Sequence, residues 1–258
     1  MREIRELAVW DFWKVAMKQL HAPGAHLAPS LRAIPFLKAA AGTKTIALTD
    51  RQREQLARIG MRLRLPPRMV IYREDSAANW IFAVAEGAVK TYRELPSGKR
   101  VVSAFLFTQD LFGLAENGRY LNSAQSLTRV TLYRLPLGEL TVLLKHDADL
   151  QFQFLAKVTH ELRESQRKAI LINRRDAAGR LAMFVALMSA EADLTAGSPG
   201  AVQLPMSRSD IAAFLGLSLE SVIRAAAELE RQRLLKFENR RLVRILDAPR
   251  LAKLVAAV

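Results

Sequence analysis

The stretch SRSDIAAFLGLSLESVIRAAAE, Ser207 to Glu228, constrains the fold of this chain more than any other. Ser207 can cap a first helix, with Asp210 placed at its positive end. Ile211 and Leu215 fall on one face of that helix, and Ala212 is small where two helices must approach closely. Gly216 stands where a tight turn needs positive φ. Leu217 can plug the gap, and Ser218 can cap a second helix that turns Val222 and Ala225 inward. An ordinary helical hairpin meets one or two of these requirements. Together they have the spacing of a DNA-reading helix-turn-helix.

If Val222 and Ala225 face in, then Leu219, Glu220, Ile223 and Arg224 face out. Arg224 can donate two hydrogen bonds to the O6/N7 edge of guanine. Glu220 can accept from the N4 amino group of cytosine and can also orient Arg224. The bland alternative is a surface ion pair worth about 0.3–0.5 kcal/mol. Ile223 suits a thymine methyl group. Ser207, Arg208 and Ser218 lie at helix N-termini, where phosphate contacts fix docking. Beyond the motif, Leu234 to Ile245 reads as a two-stranded wing turning near Asn239, with basic residues beside the turn.

Upstream, the hydrophobic period changes twice. From about Leu63 to Leu135 it is near two, as in the alternation of Val101, Ser103, Phe105 and Phe107 with Val102, Ala104 and Leu106. Turn signals punctuate it at Pro66-Pro67, Glu86-Gly87, Pro96-Ser97-Gly98 and Asn117-Gly118. This predicts an antiparallel sandwich or roll. From Asp149 the period becomes helical for about 25 residues. Phe154, Val158, Leu162, Ser165, Ala169 and Ile172 form a narrow seam suited to a dimer contact. Packing on the chain's own roll is the alternative; the polar opposite face (His160, Arg163, Arg167) favours the dimer. Asn173 to Asp176 interrupts the pattern, Ala177 opens a new helix, and Gly197 to Gly200 reads as a loop. The expected layout is an extension at 1–45, a roll at 46–148, a dimerisation helix at 149–173 and a winged helix-turn-helix at 174–258. In the extension, Leu7, Trp10, Trp13, Met17 and Leu20 suggest an amphipathic helix. Thr49 and Gln52 occupy capping-box positions before a further helix.

Composition narrows the function. Lys and Arg number 39 against 25 Asp and Glu, a net charge of +14, which suits a polyanionic partner or, since the basic residues are spread along the chain, an ordinary solvated surface. No apolar run reaches the ~18 residues of a membrane span, and the charged N-terminus has no secretory h-region. The chain has no cysteine. Disulfides and Cys-ligated zinc or iron–sulfur clusters are therefore excluded, and a reducing, cytoplasmic setting is expected. No histidine lies between Leu27 and Lys145, so a cupin-type metal site is excluded. Nucleophile elbows, Walker loops and GxGxxG are absent as well, so the expectation is a regulator and not an enzyme.

The chain resembles the CRP/FNR family of bacterial transcription regulators over roughly residues 46–246, most of all its FNR/FixK branch. The stretches that carry the likeness are LTDRQREQL, IFAVAEGAVKTY, DLFGLAENG, NRRDAAGRLAMFVALMS and LPMSRSDIAAFLGLSLESVIRAAAELERQRLL. The resemblance implies an α+β fold: an antiparallel β-roll like a cyclic-nucleotide-binding domain, a long dimerisation helix and a winged helix-turn-helix. It implies double-stranded DNA as partner, an inverted-repeat site read by a homodimer, and contact with RNA polymerase. It gives Glu220 and Arg224 the reading of a G·C pair. Ile223 stands where FNR-like members usually have Ser, which puts the outer positions of a TTGA-type half-site in question.

Family sensing modes can be tested against the residues. Cyclic-nucleotide members hold ribose and phosphate with a Glu after a Gly and a later Arg-Ser pair. Here Gly113 is followed by Leu114, and Asn122-Ser123 replaces Arg-Ser, so a buried phosphodiester would lack its cation. Haem would need His21, His26, His146 or His160 as axial ligand, a role a lone histidine seldom has. Haem stays open but disfavoured; the expectation is no resident cofactor, with an unidentified effector or none. Phe105, Phe107, Leu111 and Phe112 read as core, or else as the lining of an effector pocket.

Overall fold

The computed structural model describes residues 48–173, 176–191 and 200–256. The amphipathic helix of the extension, His21, His26, the interruption at Arg174-Arg175 and the loop from Gly197 to Pro199 lie outside those residues. The described residues fall into two compact units, one ending at Ser165 and the other beginning at Gln166.

The first unit opens with helix α1 (Asp50–Ile59). Thr49 and Gln52 form the expected capping box: the Gln52 amide donates to Thr49 Oγ1, and the Thr49 amide donates to Gln52 Oε1. Ten strands follow: β1 (Met61–Leu65), β2 (Val70–Tyr72), β3 (Trp80–Glu86), β4 (Val89–Glu94), β5 (Arg100–Leu106), β6 (Leu111–Phe112), β7 (Ala115–Glu116), β8 (Arg119–Tyr120), β9 (Ser123–Ser126) and β10 (Val130–Pro136). They pair as two antiparallel four-stranded sheets, β1-β10-β3-β6 and β2-β9-β4-β5, with β7-β8 as a separate hairpin. This is the expected roll.

Alternation along β3 and β10 builds two cores from one sheet. Phe82, Val84, Val130 and Leu132 point between the sheets and meet Tyr72, Phe112 and Tyr120. Ala83, Tyr133 and Leu135 point the other way, onto Leu56 of α1 and Leu140 of α2 (Leu137–His146). At Gly87 (φ +88°) an added Cβ would lie 2.4 Å from the Arg129 carbonyl oxygen, so only glycine fits that turn. In β5 the simple alternation fails. A bulge places Ala104 opposite Thr91 and Val102 opposite Tyr92, leaving Ser103 over. Phe105, Phe107, Leu111 and Phe112 are all buried.

Helix α3 (Ala148–Asn173) is the long helix anticipated from Asp149. Two details differ from the reading of its faces. Phe154, assigned to the exposed seam, is buried against Leu150 and Leu140. Leu155 is 55% exposed and aligns instead with Val158, Leu162, Ser165, Ala169 and Ile172, in alternating steps of three and four. The polar side is not solvent-facing throughout: His160 and Lys157 are buried. Lys157 Nζ donates to Asp110 Oδ1 at 2.9 Å and pairs with Glu161 Oε1 at 2.7 Å. Asp110 Oδ2 also accepts from the Phe107 amide at 2.9 Å.

The second unit contains α4 (Ala177–Ser189), β11 (Ala201–Gln203), α5 (Arg208–Leu215), α6 (Leu219–Arg231), β12 (Leu235–Phe237), β13 (Leu242–Ile245) and α7 (Ala248–Ala256). Leu181, Phe184, Met206, Leu215, Leu229, Leu235 and Val243 are almost fully enclosed there. The expected wing, β12-β13, gains a third strand from β11, in the order β11-β13-β12.

Candidate nucleic-acid interface

The reading head is built almost wholly from local rules. The Ser207 hydroxyl accepts from the Asp210 amide, and the Asp210 carboxylate accepts from the Ser207 amide, both at 3.1 Å. This capping box starts α5. Gly216 ends it in the left-handed region (φ 66°, ψ 31°) and returns its amide to the Ala212 carbonyl. Two residues on, Ser218 Oγ accepts from the Ser221 amide at 3.1 Å and caps α6. Ile211, Ala212, Leu215, Val222, Ala225 and Leu229 are buried, and Leu217 is half-buried between the helices.

The outward face is bare. Glu220 and Arg224 are exposed, and Leu219 and Ile223 show 38% and 46% of their surface. Exposed aliphatics one turn apart gain nothing on a solvated helix and are suited to apolar contact. Arg224 Nη2 donates to Ser221 Oγ at 3.2 Å. The Glu220 carboxyl is held below its ordinary pKa, first by its own backbone amide, then by the Ser218 hydroxyl and the charge of Arg224. It is therefore an acceptor at neutral pH, as bonding to cytosine N4 requires.

The three groups assigned to phosphate differ in what they have free to offer. The hydroxyls of Ser207 and Ser218 already serve as caps, the first also donating to Asp210 Oδ2 at 2.7 Å. The first-turn amides that the caps leave unbonded are better placed than these hydroxyls to donate to a phosphate. Arg208 is half-buried, its guanidinium 5.3 Å from the centre of the Phe237 ring. That contact places a cation between α5 and the wing. At the wing tip Asn239 Oδ1 accepts from the amides of Arg241 and Leu242, leaving Arg240 and Arg241 exposed.

Two supports were not visible in the sequence. Arg180 of α4 donates to the Leu215 carbonyl at 3.0 Å, pinning the turn from behind. Lys168 of α3 lies 4.5 Å above the Phe214 ring, which packs on Phe184 at 5.6 Å. Burial lowers the Lys168 pKa to about 8.

In the roll, two of the places that would grip a cyclic nucleotide, Asn122 and Ser123, bond within the protein. Leu114 and Glu116 are exposed, Asn122 Oδ1 accepts from the Tyr72 hydroxyl at 3.2 Å, and Ser123 Oγ accepts from the Glu74 amide at 2.9 Å. The Tyr72 and Tyr120 rings stack at 3.9 Å. His146 Nδ1 lies 2.8 Å from the Val142 carbonyl of its own helix.

Comparison with known proteins agrees with this anatomy. The family model of the Crp-like helix-turn-helix domain matches residues 179–254, and that of the cyclic nucleotide-binding domain matches residues 62–147. The transcriptional activatory protein AadR of Rhodopseudomonas palustris is 31% identical over 204 residues, 79% of this chain and 85% of that protein. The nitrogen fixation regulation protein FixK of Azorhizobium caulinodans is 30% identical over 185 residues, 71% of this chain and 75% of that one. The solved structure of FixK2 from Bradyrhizobium japonicum superposes with a TM-score of 0.71 at 30% identity, covering 78% of this chain and 99% of that one.

Proposed function

Because the chain belongs to the CRP/FNR family of transcription regulators, we propose that it reads an inverted-repeat DNA site as a homodimer, placing α6 of each copy in a major groove. The observation that carries this reading is the bare face of Glu220, Ile223 and Arg224 on a helix whose other face is sealed in the core. Glu220 and Arg224 read a G·C pair, and Ile223 meets a thymine methyl. Arg208 and the N-terminal turns at Ser207 and Ser218 hold phosphates. The seam Leu155, Val158, Leu162, Ser165, Ala169 and Ile172 forms the dimer contact. Its exposure in a single copy supports that role, and the burial of Phe154 removes that residue from the interface.

The same proposal divides the chain at residues 45, 148 and 173 and places the protein in the cytoplasm with RNA polymerase as its protein partner. With no cysteine it works without a Cys-ligated cluster. The engagement of Asn122 and Ser123 within the roll supports a switch that does not use the usual cyclic-nucleotide contacts.

Selection of sites from random duplexes, followed by titration of wild type and Arg224→Ala, tests base reading. The variant should lose about 1–3 kcal/mol on the selected site and relax its preference at one position. Equal loss on selected and random DNA would reject direct readout. In light scattering the wild type should be a dimer at micromolar concentration and Leu162→Glu a monomer. A monomeric wild type rejects the inverted-repeat arrangement.

A further inference from the structure

Apart from the reading head, one positive charge in the roll is placed as though awaiting a partner. Arg134 of β10 lies on the inner side of its sheet, opposite Phe82 of β3 and Met61 of β1. Its guanidinium stands 4.2 Å from the centre of the Trp80 ring. Its Nη2 donates to the Met61 sulfur at 3.3 Å, and its Nε is buried with no acceptor. A guanidinium carries five N–H donors, and a thioether sulfur is a weak acceptor. Among the described residues no carboxylate pairs with this group. A half-buried cation in that condition gains from any anion that reaches its edge. The indole beneath the guanidinium helps to hold it in place.

The surroundings define what the anion carries with it. Arg134 borders a cleft of about 460 Å³ at the mouth of the sandwich, walled by Leu63, Leu65, Ile71, Tyr72, Trp80 and Tyr120. That volume lies within the range of small-molecule sites, which join apolar walls to a few fixed polar groups. Among the described residues Arg134 is the one charged side chain lining it. A single positive charge balances a monoanion; a phosphate monoester brings nearly two negative charges and would call for a second cation. We propose that this cleft binds a small organic carboxylate, its acid group on Arg134 and its apolar body against Leu63, Leu65 and Ile71. The residues differ from Gly113-Leu114 and Asn122-Ser123, where the usual nucleotide contacts would fall.

Titration calorimetry with hexanoate on the full-length protein tests the assignment, and none of its readouts uses DNA. Hexanoate should bind saturably with a Kd in the millimolar range or below. Hexanamide, equal in shape and uncharged, should bind roughly tenfold or more weakly, as loss of a charge-assisted pair implies. Arg134→Gln should weaken hexanoate by a similar factor and leave hexanamide unchanged. Absence of saturable hexanoate binding overturns the proposal. So does equal affinity for acid and amide on the wild type, an outcome that does not depend on how well the variant folds. Inorganic phosphate binding more tightly than hexanoate through Arg134 also overturns it, in favour of a phosphate site.

Discussion

Replacing Lys157 with Met keeps the length and apolar stem of the side chain and removes only its ammonium. In the folded chain Lys157 is 1% exposed, and its ammonium lies between Asp110 and Glu161. Burial works against its charge, and the two carboxylates overcome burial, leaving the Lys157 pKa above its ordinary value. Glu161 gives the opposite sign, its carboxyl pushed up because desolvation outweighs the attraction of Lys157. Its side chain is 26% exposed against 7% for Asp110. Glu161 can thus turn to water when the lysine is lost, and Lys157–Asp110 is the pair that matters. Removing one member of a buried pair costs about 3–5 kcal/mol. Asp110 keeps the Phe107 amide, so the lower end, about 3 kcal/mol, is expected. For a chain of this size that lowers Tm by roughly 6–12 °C. Calorimetric melting of Lys157→Met, Asp110→Leu and the double variant separates the parts. The double variant should recover most of the loss, falling short by the ~1 kcal/mol of the Phe107 hydrogen bond. A Lys157→Met melting point within about 2 °C of wild type, or a double variant showing simple additivity, would refute the reasoning. The sign with pH follows. A raised lysine pKa gives stability that is fully present below pH 10.5, the ordinary value, and is lost as pH climbs through the folded pKa.

Gly216→Ala forces a side chain into φ +66°, and urea unfolding should show a loss of about 1 kcal/mol with weaker DNA binding. No loss would mean that the turn relaxes freely. Lys168, with its pKa lowered to about 8, should give the opposite pH trend from Lys157. Between pH 8 and 10.5 the folded chain sheds a proton that the unfolded chain keeps, so stability rises with pH across that window. Lys168→Met should abolish the rise, and a variant with an unchanged profile would refute the assignment.

The reading head was legible because each of its rules is local. Two serine caps, one left-handed glycine and a period-3.6 apolar face act over a few residues, and each left its mark in the letters from Ser207 to Glu228. What the sequence hid depends on distant partners. His160 reads as part of a solvated face, and nothing beside Lys157 in the sequence announces the loop carrying Asp110. Phe154 and Leu155 both continue the helical pattern of α3, and only the folded roll decides which is covered. Helix α2 follows Pro136, which offers no side-chain cap. Strand β11 is three residues long and makes sense only beside β13. The bulge opposite Thr91 breaks an alternation that sequence alone must assume regular.

The two serine caps and the Gly216 turn have a bearing on regulation. A head whose bends are set chiefly by its own side chains depends little on distant parts of the chain for its shape. A signal can carry it, tilt it or space it from a twin, but has little leverage to remould it. In the proposed dimer, gain or loss of promoter occupancy would be a matter of where two finished tools are held.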